Sequence, residues 1–114
     1  MKLEIPHVPP SLNKVLRMHW SAKRDLRDNW TLLVRSQLDG AYLKPMVKMR
    51  VTITLWHSRI YDKDNAFGAC KVVVDALKHN KLIFDDSQEY LELHVEQVKC
   101  PHKERKTVID LEAI

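Results

Sequence analysis

Val47 to His57 reads VKMRVTITLWH, and this run decides the fold. Val47, Met49, Val51, Ile53 and Leu55 fall on one face. Lys48, Arg50, Thr52, Thr54 and Trp56 fall on the other, the period-two alternation of a half-buried strand. Trp56, on the polar face, is placed to pack against a partner subunit. Pro45 separates this strand from an earlier segment in which Leu26, Trp30, Leu33, Val34 and Leu38 recur at helical spacing. That spacing predicts a helix capped by Ser21 and running to about Asp39, with Gly40 as its stop. A polar basic loop from Ser11 to about Trp20 precedes it. Before the loop, KLEI at Lys2–Ile5 alternates as a short strand ended by Pro6, Pro9 and Pro10.

Downstream, a loop from Ser58 to Asp64 leads into a second helix over about Asn65–His79. Its predicted buried stripe is Phe67, Cys70, Val74 and Leu77, and Asn80 is its stop in a left-handed conformation. Leu82–Phe84 is a short apolar run and Asp85–Ser87 a turn. Tyr90–Lys99 alternates again, and Thr107–Leu111 is expected to pair with it as a hairpin. The order β-α-β-α-β-β predicts an α+β fold: a small mixed four-stranded sheet with two helices packed on one face.

With 114 residues, the chain is expected to form a single domain spanning 1–114, large enough for a core without disulfides. Its two glycines exclude a glycine-rich phosphate loop. Cys70 and Cys100 form no metal-ligand spacing, and a reduced, cytoplasmic chain is the simplest reading. Charged Lys2 and Glu4 are followed by no apolar signal core, and no run is long enough to cross a membrane. The six histidines show neither ligand spacing nor a Ser-His-Asp or Cys-His pattern. The net charge of +4 permits contact with phosphate backbones.

The chemistry concentrates in Tyr61–Gln88, YDKDNAFGACKVVVDALKHNKLIFDDSQ. Asp62 and Asp64 open it, and Asp85 and Asp86 close it. On a helix Asp64, Gly68, Lys71 and Asp75 share a face outside the core. Lys71 then leans back toward Asp64 across a glycine that presents no side chain. If the run after Asn80 returns along the helix, at least three carboxylates converge. Oxygen-only ligation of that kind suits Mg2+ or Mn2+ rather than zinc. A dimer supplying one pair from each chain is the other solution. The competing explanation is that D-x-D and D-D pairs cap helices and close turns, Asp64 being the capping candidate. Asn13, Lys14, Arg17, Lys23, Arg24 and Arg27, interleaved with His19 and Trp20, form a candidate nucleic-acid face. Asp25 and Asp28 soften its charge, and a solvated helix face explains it equally well.

Pro9-Pro10-Ser11 with Asn13, D-x-D-N at Asp62–Asn65, K-x-x-x-D-A-L at Lys71–Leu77 and D-D-S at Asp85–Ser87 occur in order along most of the chain. In this the sequence resembles the RusA family of Holliday junction resolvases, small bacterial or phage-derived endodeoxyribonucleases. The resemblance implies a homodimer that binds four-way DNA junctions and nicks two strands symmetrically with Mg2+ or Mn2+. It implies catalytic Asp62, Asp64 and Asp86 with Lys71, and metal ligation by Asp62, Asp64 and Asp86 with Asp85 beside them. Lys71 stands farther from Asp64 than in the best-known member. The positions i+4 and i+7 share a helix face, so the lysine keeps its side of the helix.

Overall fold

The computed structural model describes residues 1–40 and 45–114. The elements are β1 (Lys2–Ile5), α1 (Leu12–Leu16), α2 (Trp20–Ser36), β2 (Met49–His57), α3 (Lys63–Ala69), α4 (Lys71–His79), β3 (Leu91–Lys99) and β4 (Lys106–Ala113). The fold is α+β, with a mixed four-stranded sheet in the order β1-β4-β2-β3. β2 runs parallel to β3 and antiparallel to β4, and β1 is antiparallel to β4.

β2 is central because its alternation serves both neighbours. Val51, Ile53 and Leu55 have no exposed surface and meet Trp30, Val34, Cys70, Val73 and Leu77 from the helices. Each fully buried side chain of this size contributes on the order of 2 kcal/mol. The opposite face of β2 carries Arg50, Thr52, Thr54 and Trp56, each half-buried. Trp56 is covered there by its own neighbour, with the Lys106 ammonium 5.1 Å from the ring centroid.

The expected hairpin of the last two strands does not form. β4 inserts between β1 and β2, and β3 lies on the far side of β2. Ile109 of β4 pairs with Leu3 and Ile53, so β4 has apolar alternation available to both neighbours, whereas β3 is left as an edge. The β2-to-β3 connection through α3 and α4 is the parallel crossover that two strands of the same direction require.

The helices depart from the sequence reading at their ends. Residues 12–16, expected as loop, form α1, with Ser11 Oγ accepting from the Lys14 amide at 3.3 Å. α2 begins one residue before Ser21: the cap is His19, whose Nδ1 accepts from the Ser21 amide at 3.2 Å. An imidazole nitrogen thus does the work expected of a hydroxyl. α2 ends at Ser36, not near Gly40. The Gln37 and Leu38 amides bond back three residues and tighten the last turn.

The second helix is two helices, meeting at Cys70, whose amide is shared between the Ala66 and Phe67 carbonyls. Gly68 and the β-branched run Val72–Val74 flank the junction, and both weaken a continuous helix. Phe67, expected in the core, is 57% exposed. The small Ala66 and Ala69 take the interior instead and let α3 lie close to its neighbours. Cys70 is buried as expected, and burial pushes its thiol up to about 12.

Asn80 ends α4 without a left-handed backbone; that conformation falls on Lys81, at φ 62°. The Asn80 side chain is 8% exposed and fully engaged. Its Nδ2 donates to the Thr31 carbonyl at 3.0 Å and the Ala76 carbonyl at 2.8 Å, and its Oδ1 accepts from Arg35 Nε at 3.1 Å. This one side chain ties α2 to α4. Asn80→Ala is expected to cost about 2–3 kcal/mol, read as a lower denaturant midpoint with unchanged slope. Among the described residues no helix is long and apolar enough to cross a membrane.

Candidate functional site

The first carboxylate pair is held at the end of the sheet where β2 and β3 finish. Tyr61 is the fixed point. Its amide donates to Gln97 Oε1 at 2.9 Å and its carbonyl accepts from Gln97 Nε2 at 2.8 Å. Its hydroxyl donates to the Pro9 carbonyl at 3.0 Å, and its ring meets His57 edge-on with centroids 4.6 Å apart. The half-buried phenol is pushed above its ordinary pKa by burial.

Asp62 follows, and it is Asp62 rather than Asp64 that caps α3. Its Oδ1 accepts from the Asn65 amide at 2.9 Å and its Oδ2 from Asn65 Nδ2 at 3.0 Å. The other end of the Asn65 amide, Oδ1, accepts from the Asn13 amide at 3.0 Å. Pro9 and Asn13 therefore dock onto Tyr61 and Asn65, about fifty residues away in sequence, and Asn65 in turn holds Asp62. Asp64 lies exposed in the first turn of α3, with no ion pair or side-chain hydrogen bond among the described residues. There its charge suits the helix N-terminus.

Lys71 is exposed, as its face predicted, and has no ion-pair partner among the described residues. The space over Gly68 is not an open path to Asp64. A Cβ at Gly68 would meet Leu12 of α1 at 2.7 Å, so the glycine serves the close approach of α1.

The second pair is held at the other end of the sheet. The chain after α4 does not return along the helix: Leu82 and Ile83 are buried at its C-terminal end, and the Leu82 amide bonds the Leu77 carbonyl. Asp85 stops there, 2.9 Å from Lys78 Nζ. The Ser87 carbonyl accepts from the Tyr90 and Leu91 amides and joins this turn to the start of β3. Asp86 is exposed beside it. Lys78 is the residue that sequence reasoning missed. The signal was present, since Lys78 continues the Asp64, Lys71, Asp75 face by one more turn.

Lys78, the Asp86 backbone and the Ser87 hydroxyl hold the Asp85 carboxyl down at about 2, and Asp85 in turn raises the Lys78 ammonium. A depressed carboxylate stabilises the fold above its unfolded value near 4 and loses that contribution as pH falls from about 4 to about 2. Carbon-detected NMR titration is expected to place Asp85 near the low value and return it to the ordinary range of about 4 in Lys78→Met.

One chain therefore keeps the two pairs apart, at opposite ends of β3. The described residues contain no group of three His, Cys, Asp or Glu side chains able to hold a metal ion.

Asn13, Lys14, Arg17, Lys23, Arg24 and Arg27 are all exposed along α1 and α2. Among the described residues the ion pairs of Arg24 and Arg27 are with their neighbours Asp25 and Asp28, each at 3.8 Å and in solvent, contacts of little energy. Trp20 is 66% exposed, with the Arg24 guanidinium 5.2 Å from its centroid and the His19 ring 5.5 Å away. This corner offers cations and an accessible aromatic surface together. No protein-family model matches the chain, and no curated protein matches it.

Proposed function

We propose that this protein is a metal-dependent, structure-selective endodeoxyribonuclease of the RusA type, resolving four-way DNA junctions by paired nicks. The observation that carries the reading is the docking of Asn13 and Pro9 onto Asn65 and Tyr61, with Asn65 in turn holding Asp62. Separate motifs of the resemblance meet as one hydrogen-bonded unit beside the exposed Asp64. That unit also places the cationic α1 next to the carboxylates.

The donor chemistry fits Mg2+ or Mn2+, since Asp62, Asp64, Asp85 and Asp86 offer oxygen alone. One chain does not gather them, so the fit is with a homodimer in which Asp62 and Asp64 face Asp85 and Asp86 of the partner subunit. A bound ion in such a site supplies an activated water and offsets phosphate charge. Asp62 is immobilised by Asn65 and fixes the geometry of the site. Asp64, exposed and with no ion pair or side-chain hydrogen bond among the described residues, is a carboxylate available to ligate. Lys71, exposed at the start of α4, steadies phosphate charge. Lys14, Arg17, Lys23, Arg24 and Arg27 hold the DNA backbone, with Asn13 beside them. The free Cys70 and Cys100 fit a reducing, cytoplasmic setting, which the resemblance makes bacterial or phage-derived.

A second reading is favoured by the capping role of Asp62 and the ion pair of Asp85: a DNA-binding module without catalysis, its aspartates serving the fold. A panel of labelled four-way junctions, flaps and linear duplex, incubated with Mg2+ or Mn2+, separates the readings. Paired nicks in the junction alone support the resolvase. Cutting of flaps as well broadens the activity to branched DNA. Binding of the junction with no cutting leaves the module.

A further inference from the structure

We propose that Phe67 stacks on an unpaired base at the branch point of the DNA, and so makes the protein prefer a junction to a linear duplex. The inference rests on the nuclease reading for its ligand and adds a residue that the reading does not use. Phe67 is 57% exposed on α3. A single apolar side chain in water is ordinary by itself. What sets this one apart is its place.

Phe67 follows Lys63 by four residues and Asp64 by three, all within the one helix Lys63–Ala69. Residues at those spacings are neighbours, about 5–6 Å apart at Cβ. A large side chain on a helix leans toward the N-terminus, so the ring covers the turn that carries Asp64. The helix is not free to roll and bury it. Ala66 and Ala69 already fill the interior, and a Cβ at Gly68 would meet Leu12 of α1 at 2.7 Å. The same close approach brings α1, with exposed Lys14 and Arg17, to the flank of α3.

These surroundings select the occupant. An apolar patch on a protein would have to bury the exposed Lys63 and Asp64 along with the ring, at a cost in desolvation. A nucleotide does not: its base takes the ring, and its phosphate takes the ammonium groups around it. In a linear duplex each base is stacked on both sides, and freeing one is costly. A strand-exchange point interrupts the stack and offers a base face already free. Stacking on an aromatic ring tolerates any base, since every base has a π-face. Phe67 thus reads the branch and not the sequence, and it holds the nucleotide against the turn that bears Asp64.

Affinity is measured in chelator, so that binding is read without cutting. Phe67→Leu keeps an apolar side chain and removes the ring plane. It is expected to lower affinity for a four-way junction roughly tenfold, the scale of one lost base–aromatic stack. Affinity for linear duplex is expected to stay within about twofold, since phosphate contacts carry it. Phe67→Trp is expected to keep the preference, and its added indole to lose emission as junction is titrated in, measured against wild type. Unchanged junction affinity in Phe67→Leu, or an indole at position 67 that the junction leaves unquenched, overturns the stack. A change of oligomeric state in Phe67→Leu, read by sedimentation equilibrium, overturns it too and assigns the ring to a protein contact. A wild type that binds junction and duplex alike removes both this inference and the selectivity of the proposed nuclease. A preference that is lost in Phe67→Leu, in a protein that cuts with neither Mg2+ nor Mn2+, retains the stack and removes the nuclease.

Discussion

Asp64→Asn is expected to abolish junction nicking while leaving junction binding unchanged. The substitution removes one negative charge and keeps the shape. Asp64 makes no ion pair or side-chain hydrogen bond among the described residues, so the fold loses little. The cost is about 0.5 kcal/mol from the helix N-terminus. Asp62→Asn is a poorer probe, because Asp62 caps α3 and holds Asn65 through both oxygens. Loss of an oxygen ligand from a catalytic site is expected to slow nicking by on the order of 100-fold or more, the scale of one preorganised electrostatic group. Gel retardation and strand-nicking assays on the same preparation check it. Full nicking by this variant would remove the carboxylates from the chemistry.

The second large effect is expected on binding. Arg17→Ala, Lys23→Ala and Arg27→Ala together remove three exposed cations from α1 and α2. None is part of the buried core, and the Arg27–Asp28 contact at 3.8 Å is too exposed to stabilise the fold measurably. Thermal stability is therefore expected to stay within about 0.5 kcal/mol per site. Junction affinity is expected to fall, and the dependence of log affinity on log salt to flatten by about 0.9 for each phosphate no longer neutralised. Binding measured across a salt series separates this from a local packing defect, which lowers affinity without changing the slope. An unchanged slope would place the DNA elsewhere on the molecule.

The sheet's central strand was legible because Val51, Ile53 and Leu55 alternate without interruption, and the core confirms each of them. The partner of β4 was not legible. Whether Ile109 pairs locally with β3 or inserts between β1 and β2 is a question of non-local contacts that alternation alone leaves open. Phe67 misled because two helical stripes overlap in α3, and the smaller residues took the interior. Lys71 was placed on the exposed face correctly. Gly68 was read for the wrong neighbour, since its space belongs to Leu12, three elements earlier in the chain.

The separation of the aspartate pairs turned on six residues after α4. Fully extended, those residues nearly span the helix. The left-handed backbone at Lys81, the burial of Leu82 and Ile83, and the Lys78–Asp85 ion pair hold the run at the helix end instead. Of these, only the position of Lys78 on the exposed helix face leaves a periodic trace in the sequence. Asn80 is of the same kind: its side-chain bonds tie Thr31 and Arg35 of α2 to α4, and no spacing rule connects those two helices.

The most direct test uses the wild-type protein with an end-labelled four-way junction, in Mg2+ or Mn2+ and again in excess chelator. The account predicts two nicks, symmetrically placed on opposing strands, in the presence of the metal, and an intact, protein-bound junction in its absence. A junction that is bound yet remains uncut with either metal would contradict it.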